Sequence, residues 1–416
     1  MRPVRLLFIT LALLPRTGFP QAGVPLGSEF RVNTYTLSAQ KEAAVAFQSS
    51  GEFVVVWTSY GRDGEGFGVV GQRYSDTGAP LGSEFVVNTL TTSFEGRPAV
   101  DFDSAGNFVV VWTSAQDGIS FDISGQRYGS AGLPVGTEFR VNTYTTGSQD
   151  YPAVDSDASG SLVVVWTGVH PDFTSDVFGQ RYASSGIPLG AEFLVNTYTA
   201  DSQFSPAVAS DPSGNFVVVW TSAHQAALGY DVFGQRFSSA GSPLGPEFLV
   251  NTYTTNSQSR PAVAMDASGN YVVVWQSLVQ DGSNTGVFGQ RYGSTGSPLG
   301  PEFRINTYTS FDQSLPALGV DSIGNFVVVW HSVQQDGAFA GIFGQRYDSS
   351  GAPLGPEFRV NTYTTDGQFD PTVGSDGAGR FVVVWTSNNQ DGSAEGVFGQ
   401  RYSQIFPVEL MGFRVE

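Results

Sequence analysis

Asp101 and Asp155 stand in near-identical contexts, "PAVDFD" and "PAVDSD". Two carboxylates brought together can pass a proton to a substrate or help to hold a cation. Five other stretches repeat this context with Ala46, Ala209, Ala264, Gly319 or Gly374 in place of the acid. The pair is therefore an exception inside a repeat. Its chemistry depends on what the repeat builds.

A second group of candidates follows the Trp of each repeat. Asp63, Asp117, Asp281, Asp336 and Asp391 each precede a Gly there. Two repeats break the pattern. "GVHPDFTSD" at 168–176 brings His170 and Asp172, and "AHQAALGYD" at 223–231 brings His224 and Tyr230. These loops differ most between repeats, and divergence on one face suits a ligand-binding surface. His170, Asp172, His224, Tyr230, Asp281, Asp336 and Asp391 therefore join Asp101 and Asp155 as candidate ligand-binding residues. The three His, His170, His224 and His331, lie in different repeats at unequal offsets from Trp, so no shared metal site is expected.

A third group is Asp103, Asp157, Asp211, Asp266, Asp321 and Asp376, each followed three residues later by Gly. A ring of calcium loops and a ring of Asx turns would both look like this. Each turn offers a single carboxylate, whereas calcium needs several oxygen ligands close together. Asx turns are expected, and no cofactor. There is no Gly-x-Ser-x-Gly elbow, no P-loop and no His-Glu-x-x-His.

The elements that must position these residues recur. Trp57, Trp112, Trp166, Trp220, Trp275, Trp330 and Trp385 are separated by 54 or 55 residues, and the Gly-Gln-Arg and Glu-Phe pairs keep the same beat. A fixed period of this kind marks a repeat architecture. One unit holds four strand-like pieces, A to D: "RPAVAMD", "NYVVVWQS", "GVFGQRY" and "PEFRINTYT". Strand B is apolar at successive positions, so both its faces must be buried. A lone four-stranded sheet cannot do that. Stacked sheets can, and seven of them predict an all-β, seven-bladed β-propeller with four antiparallel strands per blade.

The chain starts its repeats with a D strand, "GSEFRVNTYT" at 27–36, and ends the seventh A-B-C set at Tyr402. The N-terminal strand is expected to complete the last blade. "GFRVE" at 412–416 is the rival for that place. The Arg of strand C precedes the Glu of strand D by 11 residues, as in Arg73 and Glu84, which suggests cross-strand pairs with Arg401 meeting Glu29. In a propeller the B–C and D–A loops share one face, so any ligand is expected there.

"MRPVRLLFITLALLPRTGFPQAG" has Arg2 and Arg5, an apolar stretch too short to span a bilayer, and small residues up to Ala22. Residues 1–22 read as a signal peptide, 23–403 as the propeller and 404–416 as a C-terminal tail. An exported, soluble, monomeric protein of bacterial type is expected. It has no Cys, so no disulfides, no thiolate metal site and no Cys nucleophile. With a net charge of −18 and a single Lys, it would repel nucleic acid and anionic lipid.

"PAVAMDASGNYVVVW" resembles the first hairpin of NHL-type propeller repeats, which implies that strand A is innermost and strand D outermost. The whole unit, from VVVW through GQRY to the EF-x-VNTYT segment, resembles tandem repeats of exported bacterial surface proteins over residues 24–402. The reading favoured by sequence is a non-catalytic binding or adhesion propeller at the cell surface, meeting a protein or glycan ligand. The alternatives are a carbohydrate-active enzyme using Asp101 and Asp155, and a structural spacer of a surface assembly.

Overall fold

The computed structural model of the protein describes residues 23–404, apart from 65, 116–119, 172–173 and 338. The expected signal peptide and the rival "GFRVE" segment lie outside the described residues.

Seven four-stranded antiparallel sheets form the molecule. In blade 5 the strands are Gln258–Met265 (A), Tyr271–Leu278 (B), Thr285–Tyr292 (C) and Phe303–Arg304 (D), hydrogen-bonded in that order. Each strand A packs on strand A of the next blade, and Gln368–Ser375 of blade 7 packs on Gln40–Phe47 of blade 1. The A strands therefore ring the central channel, and the D strands form the rim. In blade 7 the outer strand is Phe30–Arg31, paired with Glu395–Gln404. The N-terminal strand closes the ring, as its sequence suggests.

Strand B explains why the ring forms. In blade 1, Phe53, Val55 and Trp57 pack with Val382 and Val384 of blade 7, while Val54 and Val56 pack with Phe108, Val110 and Trp112 of blade 2. All are buried. The run has no solvent face, so every sheet needs a sheet on either side. Strands B and C are also joined by stacked rings, such as Phe53 on Tyr74 at 4.7 Å and Phe381 on Tyr402 at 4.6 Å.

The Gly-Gln-Arg triplet does three separate jobs. Its Gly lies under the Phe of strand D: a Cβ at Gly71 would stand 2.6 Å from the Phe85 ring. Its Gln bridges turn carbonyls, as Gln290 Nε2 does to Arg291 O and Gly300 O at 2.9 and 3.0 Å. Its Arg reaches out of the blade. Arg236 donates to Ser294 O and Thr295 O of the next blade, at 2.7 and 2.5 Å.

The strand-D Glu reaches the other way. Glu302 accepts from Thr252 N at 2.6 Å, and Glu29 accepts from Thr362 N at 2.6 Å. The expected Arg–Glu pairs within a hairpin are thus replaced by clamps between blades. Arg401 reaches Asp76 O and Thr77 O, not Glu29. Each strand D pairs with strand C over only two or a few residues, so these long side chains are free to lean outwards.

Deleting residues 23–36 should remove Phe30 and the buried Val32 from the closing blade along with the Glu29 clamp. A loss of at least about 3 kcal/mol is expected, the scale of exposing two large apolar side chains. Chemical denaturation would measure it, and an unchanged midpoint would mean that the strand does not close the ring.

Candidate functional site

Strand A of every blade carries the same irregularity at its first turn. In blade 1, Lys41 pairs with Thr58 and Ala44 with Val56, so Glu42 and Ala43 together oppose Trp57. This is a two-against-one β-bulge, which re-aims a side chain out of the sheet. The same shift occurs in blades 2 to 7, always opposite the Trp. The second bulge residue is Pro in six blades, fitting a place where strand A has no ladder hydrogen bond to donate.

The first bulge residue is Glu42, Arg97, Tyr151, Ser205, Arg260, Leu315 and Asp370 in turn. All seven hold the left-handed backbone conformation, with φ between 49° and 54°. That geometry costs a residue with a Cβ about 1 kcal/mol or more, and Gly avoids the cost. The chain has 51 Gly and uses Gly at left-handed positions in its A–B and C–D turns, yet none here. Seven equivalent positions keep side chains of six different types at a conformational cost.

These residues line one mouth of the central channel, a cavity of about 510 Å³. Strand A enters here from the D–A loop and strand B leaves for the B–C loop, so this is the loop face singled out by sequence. The lining is held from behind. Arg97 N donates to Thr58 Oγ1 of the preceding blade at 3.0 Å, and Ser205 N and Arg260 N do the same to Thr167 and Thr221, each at 3.1 Å.

The side chains fall into two groups. The Arg97 guanidinium pairs with Asp150 and lies 4.4 Å from the centre of the Tyr151 ring. Glu42 accepts a hydrogen bond from Thr58 Oγ1 at 3.0 Å. On the adjacent blade, Asp370 is exposed to the channel, with the walls of the mouth close around it. Burial pushes its carboxyl above the usual carboxylate range and the charge of Glu42 adds to this, against an opposite pull from Arg260 and Lys41. His331 stands behind this region with Nε2 2.8 Å from Ser314 Oγ. Burial lowers its pKa to about 4, so the ring is neutral.

No family model matches the chain, and no curated protein does. Solved structures do. A protein of unknown function from Dyadobacter fermentans superposes with a TM-score of 0.52 at 12% identity, covering 90% of this chain and 99% of that one. Phage phi92 endosialidase gives 0.53 at 7% identity, covering 91% of this chain and 69% of that one. Penicillium chrysogenum α-L-arabinanase gives 0.48 at 13% identity, with 92% and 98% covered. The first two likenesses establish the propeller fold. The likeness to the endosialidase also corrects the expectation that the chain is not an enzyme: a protein named as an enzyme shares this architecture, so the fold gives no ground for excluding catalysis.

The residues singled out from sequence lie elsewhere. Asp101 and Asp155 are on adjacent A strands, paired with Val109 and Val163 near the A–B turns, away from the bulges. Each ties its blade to the next. Asp101 takes hydrogen bonds from Ser156, and Asp155 Oδ2 accepts from Ser210 N at 2.7 Å. Burial raises both carboxyls well above their ordinary range, and the charge of Asp101 raises Asp155 further.

Asp281, Asp336 and Asp391 accept from Asn306, Asn361 and Asn33 of strand D at 3.0, 3.3 and 3.0 Å. In blades 3 and 4, Asp176 and Asp231 do this instead. His170 Nε2 lies 2.9 Å from Asp176 Oδ2, which accounts for it locally. His224 Nδ1 is 3.7 Å from Asp201. Tyr230 meets Phe204 edge-on at 5.3 Å, one residue from the mouth lining at Ser205. Asp172 lies outside the described residues.

The A–B turn Asp residues form Asx turns: Asp211 Oδ1 accepts from Ser213 N and Asn215 N at 2.8 and 3.0 Å, and Gly214 has φ 83°. The opposite mouth, about 360 Å³, is lined by these near-uniform turns.

The sequence also marks the mouth. In the motif Gln-x-x-Pro the two inner residues read KE, GR, DY, FS, SR, SL and FD, with Glu95 for Gln in blade 2 and Ala43 for Pro in blade 1. Glu95 is fully buried and accepts from Trp112 Nε1 at 2.7 Å and Ser114 Oγ at 2.9 Å. Burial lifts its pKa from 4.5 to about 7, outweighing these bonds. Gln makes the same bond to Trp in other blades, as Gln40 does at 3.1 Å.

The ionised Glu95 is therefore disfavoured in the folded state, and the wild type loses stability as pH rises from 4.5 to about 7. Glu95→Gln should match the wild type below pH 4.5 and exceed it above pH 7, by about 3 kcal/mol at most. Denaturation at pH 4 and pH 8 measures the difference, and a variant less stable at pH 8 would contradict this.

Proposed function

We propose that the protein is a carbohydrate-active enzyme that cleaves glycosidic bonds at the loop-side mouth, with Asp370 as proton donor and Glu42 as the second carboxylate. The observation that carries this reading is the ring of seven left-handed positions without a Gly, which sets two acids side by side on blades 7 and 1.

Hydrolysis of a glycoside needs one carboxyl that keeps its proton and a carboxylate to meet the developing positive charge. Asp370, raised by burial and by its neighbour, suits the first role. It donates its proton to the glycosidic oxygen as the bond to the anomeric carbon breaks. Glu42, aimed by Thr58, meets that carbon directly or through a water. Water supplies the new hydroxyl, and its proton restores the carboxyl. Tyr151, 45% exposed, offers a ring for a sugar to stack on, steadied by Arg97. A propeller fold shared with a phage endosialidase is compatible with this chemistry and says no more.

The same reading takes the enzyme as exported and monomeric, with a glycan as its partner, and as kin to the repeats of bacterial surface proteins. The N-terminal layout, with Arg2 and Arg5 before an apolar stretch, supports export.

Reducing-sugar release from a polysaccharide panel tests the proposal. Asp370→Asn and Glu42→Gln should each lower the rate by about 10²–10⁴-fold. Asp101→Asn should leave it at the wild-type value. Loss of activity in Asp101→Asn with activity kept in Asp370→Asn would move the chemistry to the other acids and end this reading.

A further inference from the structure

The cations of the mouth are not equivalent. Arg97 is committed to Asp150 and to the Tyr151 face. Lys41 Nζ lies over the Phe67 ring at 5.2 Å. Arg260 is exposed, and among the described residues no carboxylate lies within ion-pair distance of its guanidinium. Its backbone N–H is the part that is tied down, to Thr221. The side chain nonetheless lines the same mouth as Glu42 and Asp370.

The neighbours of Arg260 leave it uncompensated. Ser259 Oγ is taken by Gln276 Nε2 at 3.1 Å, Leu315 on the next blade is apolar, and His331 is neutral. The chain carries 38 acidic residues against 20 Lys and Arg, so an acidic partner would be easy to place. Among the described residues, none lies within ion-pair distance of this guanidinium. An unpaired Arg in a concave site, with its planar fork of donors, matches a carboxylate of the ligand.

We propose that the glycan acted on at this mouth carries a carboxylated sugar, whose carboxylate pairs with Arg260 while Asp370 and Glu42 face the adjoining glycosidic bond. This rests on the hydrolytic reading above and adds the substrate class. A net charge of −18 repels long polyanions, so a chain end or a short oligosaccharide is the fitting ligand, with one carboxylate meeting one guanidinium.

Calorimetric titration at 0.15 M salt tests it, using Asp370→Asn to bind without turnover. The probes are matched pairs: sialyl-lactose against lactose, trigalacturonate against galactotriose, and an alginate trisaccharide against mannotriose. At least one acidic member should bind about tenfold or more tighter than its neutral partner. Adding Arg260→Gln should remove that preference and leave neutral binding unchanged, and Arg260→Lys should restore part of it. Thermal melting checks that the variants fold.

Equal binding of acidic and neutral members overturns this inference and leaves glycoside cleavage standing. A preference that survives Arg260→Gln also overturns it. Failure of every acidic member to bind overturns it as well. If the neutral members and the polysaccharide panel then fail too, the hydrolytic reading falls with it.

Discussion

The structure depends on a strand that has no side for water. Val54 and Val56 point to one neighbour, Phe53, Val55 and Trp57 to the other, and the same division runs through all seven blades. At about 25 cal/mol per Å² of apolar surface buried, a sheet left without a neighbour would lose a large part of what folds it. A stack that ends exposes such a face at each end. A ring has no ends, so closure by Phe30–Arg31 is a requirement of strand B.

Closure also explains the direction of the polar side chains. The Arg of each triplet reaches the C–D turn of the next blade, and the strand-D Glu reaches the Thr of the preceding one. Each interface is held near its outer edge from both partners. The clamps run unbroken across the seam between chain ends, where Glu84 accepts from Thr34 N and Glu29 from Thr362 N. Exposed contacts of this kind are individually worth little. Repeated around a circle, they fix the register of one blade on the next.

Much of this was legible in the sequence because strands, turns and spacing are local or periodic. The blade number, the strand order, the Asx turns and the closing strand follow from Trp spacing, from successive apolar residues, and from Asp three residues before Gly. The Arg–Glu pairing was misjudged because spacing within a hairpin says nothing of which blade a long side chain leans towards. The candidate site was missed for a related reason. Asp101 and Asp155 stood out as departures from a repeated residue, whereas Arg97, Arg260 and Asp370 occupy positions with no repeated residue to depart from. The Gln-x-x-Pro motif sets these seven positions at the same point of the repeat, but only the backbone reveals the left-handed φ that turns them into the mouth.

That backbone is also what lets one repeat carry a site. A repeat fixes its residues where packing or hydrogen bonding requires them, so variation survives only where the scaffold does not use the side chain. At the bulge the scaffold uses the amide instead: Thr58, Thr167 and Thr221 hold the N–H groups of Arg97, Ser205 and Arg260, and the opposing Trp fills the space behind. The direction of each side chain is thus set by the bulge backbone and by the group behind it, Thr in most blades and Gln276 behind Leu315. Glu, Arg, Tyr, Ser, Leu and Asp can exchange there without disturbing a blade, and each still points into the same 510 Å³ mouth. Rigid support with free choice of the lining is what a site needs for preorganisation. The opposite mouth lacks that freedom, because the oxygens of Asp211 and its counterparts are spent on closing their own turns.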